Sequence, residues 1–132
     1  MLFGKKKAKL IFDTNFLLLP GSQGLDIFTS AQNAINEPFT MCVMEQSFTE
    51  LQNIIDGFTK AKGQDKFNAK LGFVLAKQKG LKSLQASSKL RHVDDQIVEM
   101  PDEKTYVATL DKDLQRPVTE KGAKLLVPKQ QK

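Results

Sequence analysis

Residues 8–15 read Ala8-Lys9-Leu10-Ile11-Phe12-Asp13-Thr14-Asn15. A short, almost continuous apolar run ends abruptly on an acid. Such a run fits a strand covered on both faces, as in parallel sheets. Ligands of open parallel sheets bind beyond the carboxyl ends of the strands, which is where Asp13 falls. No structural benefit accounts for an acid abutting Leu-Ile-Phe, so Asp13 is the first candidate functional residue.

Working outward, the same alternation of strand and helix fills the chain. Thr14 to Gly24 carries the turn signal Pro20-Gly21 and reads as a loop. Leu25, Phe28, Ala31 and Ile35 recur at helical spacing, so a helix is expected over about 23–36, stopped by Pro38. Phe39–Met44 is a second strand. Ser47-Phe48-Thr49-Glu50 has the form of a capping box opening a helix that runs to about Ile55. Phe67, Leu71, Val74 and Leu75 predict an amphipathic helix over about 62–79, ended by Gly80. Leu81–Leu84 reads as a third strand, Val93–Met100 as a short helix cut off by Pro101, and Thr105–Thr109 as a fourth strand. A helix from Asp111 to about Lys121 follows, with Pro117 inside it, and then a strand Lys124–Pro128. This order predicts a three-layer α/β/α sandwich on a mostly parallel sheet of four to five strands.

Composition narrows the function classes. One cysteine, Cys42, excludes an internal disulfide framework; it reads as a core residue of the second strand. One histidine, His92, and no C-x-x-C exclude the usual structural zinc sites; His92 reads as a loop residue. The apolar runs, such as Phe16–Pro20, are too short to span a bilayer. Met1-Leu2-Phe3 leads into Lys5-Lys6-Lys7 without a long apolar stretch, so no secretory leader, no membrane partner and a cytoplasmic location are expected. There is no Walker-type glycine loop, and the segment from Asp111 lacks the glycine and final glutamate of a calcium loop. Twenty Lys and Arg against fifteen Asp and Glu give +5, a balance that favours polyanionic partners.

The acids collect where the strands end. Asp13 follows the first strand, Glu50 lies in the first helical turn after the second, and Asp94 and Asp95 open the helix after the third. Asp111 and Asp113 follow the fourth. Each also has a structural reading: Glu50 as the capping partner of Ser47, Asp94 and Asp111 as N-caps, Asp113 as a helix-dipole residue. Pooled on one rim, four carboxylates repel each other unless a cation sits among them. Oxygen ligands without Cys or His suit a hard divalent ion, Mg²⁺ or Mn²⁺. Setting four acids aside leaves eleven against twenty bases, so a negative pocket stands in a body of +9. That combination suits the cutting of a phosphodiester.

Four segments resemble those of the PIN-domain ribonucleases. They are Ile11-Phe12-Asp13-Thr14-Asn15, Thr49-Glu50-Leu51, Val93-Asp94-Asp95-Gln96-Ile97 and Val107-Ala108-Thr109-Leu110-Asp111-Lys112-Asp113-Leu114. They lie in register over essentially the whole chain, as in short single-domain archaeal-type members and the related ribosomal-RNA-processing nucleases. The resemblance implies one PIN-like domain over residues 1–132, with a lysine-rich tail from about 129. It implies a Mg²⁺- or Mn²⁺-dependent endoribonuclease in which water attacks the phosphodiester in line, leaving a 5′-phosphate. Asp13, Glu50, Asp95 and Asp111 would be the catalytic and metal residues, with Asn15, Asp94 and Asp113 in support. Asp95 is preferred to Asp94 because the family's acid usually precedes a small residue, although Gln96 takes that place here. Lys112 and Arg116 are candidate RNA contacts. The alternatives are a ribonuclease toxin blocked by a partner protein and a non-catalytic RNA-binding member. RNA, a second copy of the chain, and an inhibitory or ribosome-assembly protein are the candidate partners. Phe16–Leu19 would serve either as a dimer contact or as packing against its own sheet.

Overall fold

The computed structural model describes residues 7–60, 62–87, 89–90 and 92–127. Strands β1 (Ala8–Phe12), β2 (Phe39–Met44), β3 (Lys82–Leu84), β4 (Thr105–Ala108) and β5 (Lys124–Leu126) form one parallel sheet in the order β3-β2-β1-β4-β5. Leu10 and Phe12 bury on one face of β1 and Ile11 on the other, so both faces are covered. Helices α1 (Leu19–Gln23), α2 (Ile27–Ala34), α3 (Glu45–Ile55) and α4 (Gly63–Gln78) cover the first face. Helices α5 (Val93–Glu99) and α6 (Lys112–Glu120) cover the second. The expected three layers are present. Pro128, the lysine-rich tail and Lys5-Lys6 lie outside the described residues, and Lys7 is exposed.

Two expectations about the elements are corrected. The segment after Asp13 is not a loop: Thr14–Leu18 is a 3-10 turn that runs into α1. Pro20 tolerates this because it sits in the first turn of α1, where its missing N–H costs nothing, and Gly24 closes the helix at φ 65°. Phe16, Leu17 and Leu19 are buried against the sheet, so this stretch is core and not a free dimer face. The helix expected over 23–36 is shorter; Asp26 caps α2 by accepting the Thr29 N–H at 3.0 Å. The helix expected from Asp111 to about Lys121 is present with Pro117 inside it: α6 runs on to Glu120. Leu114 and Val118, 3% and 0% exposed, hold the helix on the sheet on either side of the proline. Burying two such side chains offsets a proline defect of about 3 kcal/mol.

α4 approaches the 3-10 turn at backbone contact. A Cβ on Gly72 would stand 2.2 Å from the Leu17 carbonyl oxygen, so only glycine allows this approach. The turn that carries Thr14 and Asn15 is thereby clamped to α4.

Candidate active site

β1 and β4 are neighbours, yet the chain leaves them on opposite faces of the sheet. A crevice opens at such a switch point beyond the strand ends. Asp13 lies at this switch point, 8% exposed, its N–H donating to the Ala108 carbonyl at 2.9 Å. The Thr109 hydroxyl donates to Asp13 Oδ2 at 2.8 Å and accepts from the Asp111 N–H at 3.0 Å. Asp111 caps α6, its carboxylate accepting the Asp113 N–H at 2.9 Å. It is therefore both a cap and a rim acid, the two readings the sequence left open.

Glu50 is not a capping residue. α3 begins two residues before Ser47, at Glu45, with Met44 as its N-cap and no side-chain cap. Ser47 and Glu50 instead meet Thr14. The Thr14 hydroxyl donates to Glu50 Oε1 at 2.7 Å and lies 2.7 Å from Ser47 Oγ. Its one proton goes to the carboxylate, so Ser47 donates to Thr14, and the relay runs Ser47 to Thr14 to Glu50. Thr14, Ser47 and Thr109 are all buried.

α5 offers two acids about 100° apart around the helix. Val93 and Ile97 are buried and fix its rotation. The charge of Asp94 bears on both Asp13 and Glu50. Asp95, the expected ligand, borders a hollow with Val98, Pro117 and Lys121 instead. Asn15 and Asp113 are exposed near the rim; Lys112 and Arg116 are exposed on α6. His92 is the N-cap residue of α5, and its charge opposes that of Glu50. Cys42 is buried, as expected.

The site is electrostatically uneasy. Burial pushes the Asp13 carboxyl above its ordinary pKa, and Asp94 and Asp111 add to this. The Thr109 hydroxyl and the Thr14 N–H work against the rise without cancelling it. Burial also raises Glu50, with Asp13 and Asp94 adding and the Thr14 hydroxyl and His92 opposing. Among the described residues no lysine or arginine forms an ion pair with these four acids. A pooled set of carboxylates with no basic partner suits a hard dication in its chemistry. The side chains are not drawn together into a cage: among the described residues no three Asp, Glu, His or Cys are set closely enough to enclose an ion.

Sequence reasoning passed over Thr14, Ser47 and Thr109 as site residues. The signal was a hydroxyl directly after, three before and two before an acid. It also missed Gln96, 5% exposed, whose Nε2 donates to Gln46 Oε1 at 2.8 Å and to the Leu90 carbonyl at 3.1 Å.

A five-stranded parallel sheet with acids beyond its strand ends at the switch point is the architecture of the PIN domains, and the chain belongs to that family. The PIN like domain profile matches residues 10–131. Among solved structures, the PIN domain endonuclease Utp24 superposes with a TM-score of 0.73 at 22% identity, over 92% of this chain and 86% of that one. A chain from the crystal structure of VapBC2 from Rickettsia felis, bound to a DNA fragment from their promoter, gives 0.57 at 12% identity, over 92% and 99%. Both likenesses are of fold. No curated protein matches the chain.

Proposed function

We propose that the protein is a metal-dependent endoribonuclease whose site is formed by Asp13, Glu50, Asp94 and Asp111. The observation that carries this reading is the uncompensated charge of the rim: a buried carboxyl and a half-buried one lie beside two more, and desolvation penalises their ionisation. Retaining such a cost makes sense where a cation is to be bound. Asp94 replaces Asp95 in the set because it is the α5 acid that faces Asp13 and Glu50 electrostatically. Mg²⁺ or Mn²⁺, when bound, would neutralise charge on a phosphoryl oxygen and lower the pKa of water.

The chain's own residues supply position. Thr109 fixes one oxygen of Asp13, and Thr14 fixes one oxygen of Glu50. Buried hydroxyl donors of this kind hold ligands in one orientation before the ion arrives. Asn15 and Asp113 stand by at the exposed edge. Lys112 and Arg116 would take RNA phosphates through loose, salt-sensitive contacts.

Ribosomal-RNA maturation is the favoured setting over a toxin role, because the four segments resemble the ribosomal-RNA-processing nucleases more than the toxins. The test is cleavage of single-stranded and structured RNA with Mg²⁺ or Mn²⁺, comparing the parent with Asp13→Asn. Cleavage by the parent that disappears in the variant supports the reading. Equal activity in both refutes the site.

A further inference from the structure

Beside Glu50 lies a cavity of about 450 Å³, open to solvent, that the metal chemistry does not use. Gln46 and Thr49 of α3 line one wall, Leu84 and Leu90 give apolar surface, and Gln96 of α5 closes the back. Thr49 directly precedes Glu50, and Gln46 is one turn before it, so the cavity starts where the acid rim ends.

Gln96 is the informative residue. Its amide orientation is fixed, because the Leu90 carbonyl can only accept and so must face the NH₂. Both amide protons are then spent, one on Leu90 and one on Gln46. Among the described residues, none hydrogen-bonds to Gln96 Oε1, on a side chain 5% exposed. No side-chain oxygen or nitrogen among the described residues is both sealed from solvent and unpaired. This oxygen therefore has open space before it, and the space that Gln96 borders is the cavity. A rigidly held acceptor at the back of a small cavity selects a donor.

We propose that this cavity receives one unpaired base of the RNA strand whose backbone crosses the acid rim, and that it prefers cytosine or adenine; the proposal rests on the nuclease reading. Each of those bases presents an exocyclic amine next to a ring-nitrogen acceptor. The amine donates to Gln96 Oε1, and the Thr49 hydroxyl donates to the ring nitrogen. Leu84 and Leu90 pack on the base. Uracil, and guanine when it presents its O6 edge, place a carbonyl where the amine should be, which sets two acceptors against each other.

The test is fluorescence anisotropy with labelled octamers of C, A and U in EDTA, where no cleavage occurs. The parent should bind the C octamer about three- to tenfold more tightly than the U octamer, the value of one or two neutral hydrogen bonds. C against U is the cleanest pair, since A strands stack on themselves. Gln96→Leu should erase the preference. If that variant fails to fold, because Leu90 and Gln46 lose their partner, Thr49→Val at the exposed wall should still narrow it. A parent without preference, or a preference that survives both changes, overturns the proposal. Equal binding by a parent that cleaves RNA with Mn²⁺ defeats the base pocket alone. No binding and no cleavage defeats the nuclease reading with it.

Discussion

The two ends of the sheet treat acids in opposite ways. At the amino ends of the strands, Glu37 accepts from the Tyr106 hydroxyl at 2.7 Å and pairs with Lys104 at 2.9 Å. Lys124 stands over the Tyr106 ring, 5.2 Å from its centre. These partners hold Glu37 below its ordinary pKa. At the carboxyl ends, Asp13 and Glu50 receive hydroxyls but, among the described residues, no lysine or arginine, and both are raised. The fold can satisfy a carboxylate with a lysine where it is structural. It does not do so where a substrate and an ion would arrive.

The contrast can be broken most forcefully in an activity assay. Asp13→Asn should lower RNA cleavage by on the order of 10³-fold, while Glu37→Gln leaves it unchanged. Cleavage lost equally in both variants would show that the two ends are not functionally distinct. Next in size is Thr14→Val, which removes the donor to Glu50 and leaves Ser47 without its acceptor. A loss of about 10- to 100-fold is expected, recovered in part at higher Mn²⁺, since outer hydrogen bonds tune metal affinity by that much. No change across a Mn²⁺ titration would remove Thr14 from the site. Asp94→Asn should exceed Asp95→Asn in its effect on the same assay; the reverse order would return Asp95 to the ligand set.

The smallest effects are on stability, and they run in opposite directions. Asp13 and Glu50 have folded pKa values above their unfolded ones, so the folded chain holds those protons more tightly. Without metal, their contribution is most favourable below the ordinary carboxylate pKa and is lost as pH rises through the raised values. Glu37 is lowered, so its contribution is present above the ordinary pKa and lost as pH falls through the depressed one. Metal-free Asp13→Asn should therefore melt a few degrees above the parent at neutral pH, since Thr109 can still donate to the amide oxygen. Glu37→Gln should melt slightly below it. Differential scanning fluorimetry separates the two, and a destabilised Asp13→Asn would mean that the rim acid is structural.

The sequence showed the sheet well because β1, β2 and β4 are apolar runs bounded by acids, prolines and glycines. It was less clear where tertiary packing overrides local signals. Pro20-Gly21 looked like a turn but opens and continues α1, because burial of Phe16, Leu17 and Leu19 orders that stretch. Ser47-x-x-Glu50 looked like a cap because spacing cannot show that Thr14, more than thirty residues away in the chain, takes both side chains. The choice between Asp94 and Asp95 depends on how Val93 and Ile97 rotate α5, and no neighbouring residue encodes that. The acids themselves were legible; their orientation and supporting hydroxyls were not.

A calorimetric titration of Mn²⁺ into the parent and into Asp13→Asn tests the metal site without requiring the RNA substrate. Binding by the parent, weakened by about tenfold or more in a folded Asp13→Asn, is the expected result. Identical binding in the two proteins, or none in the parent, would show that the uncompensated acids are not held for a cation.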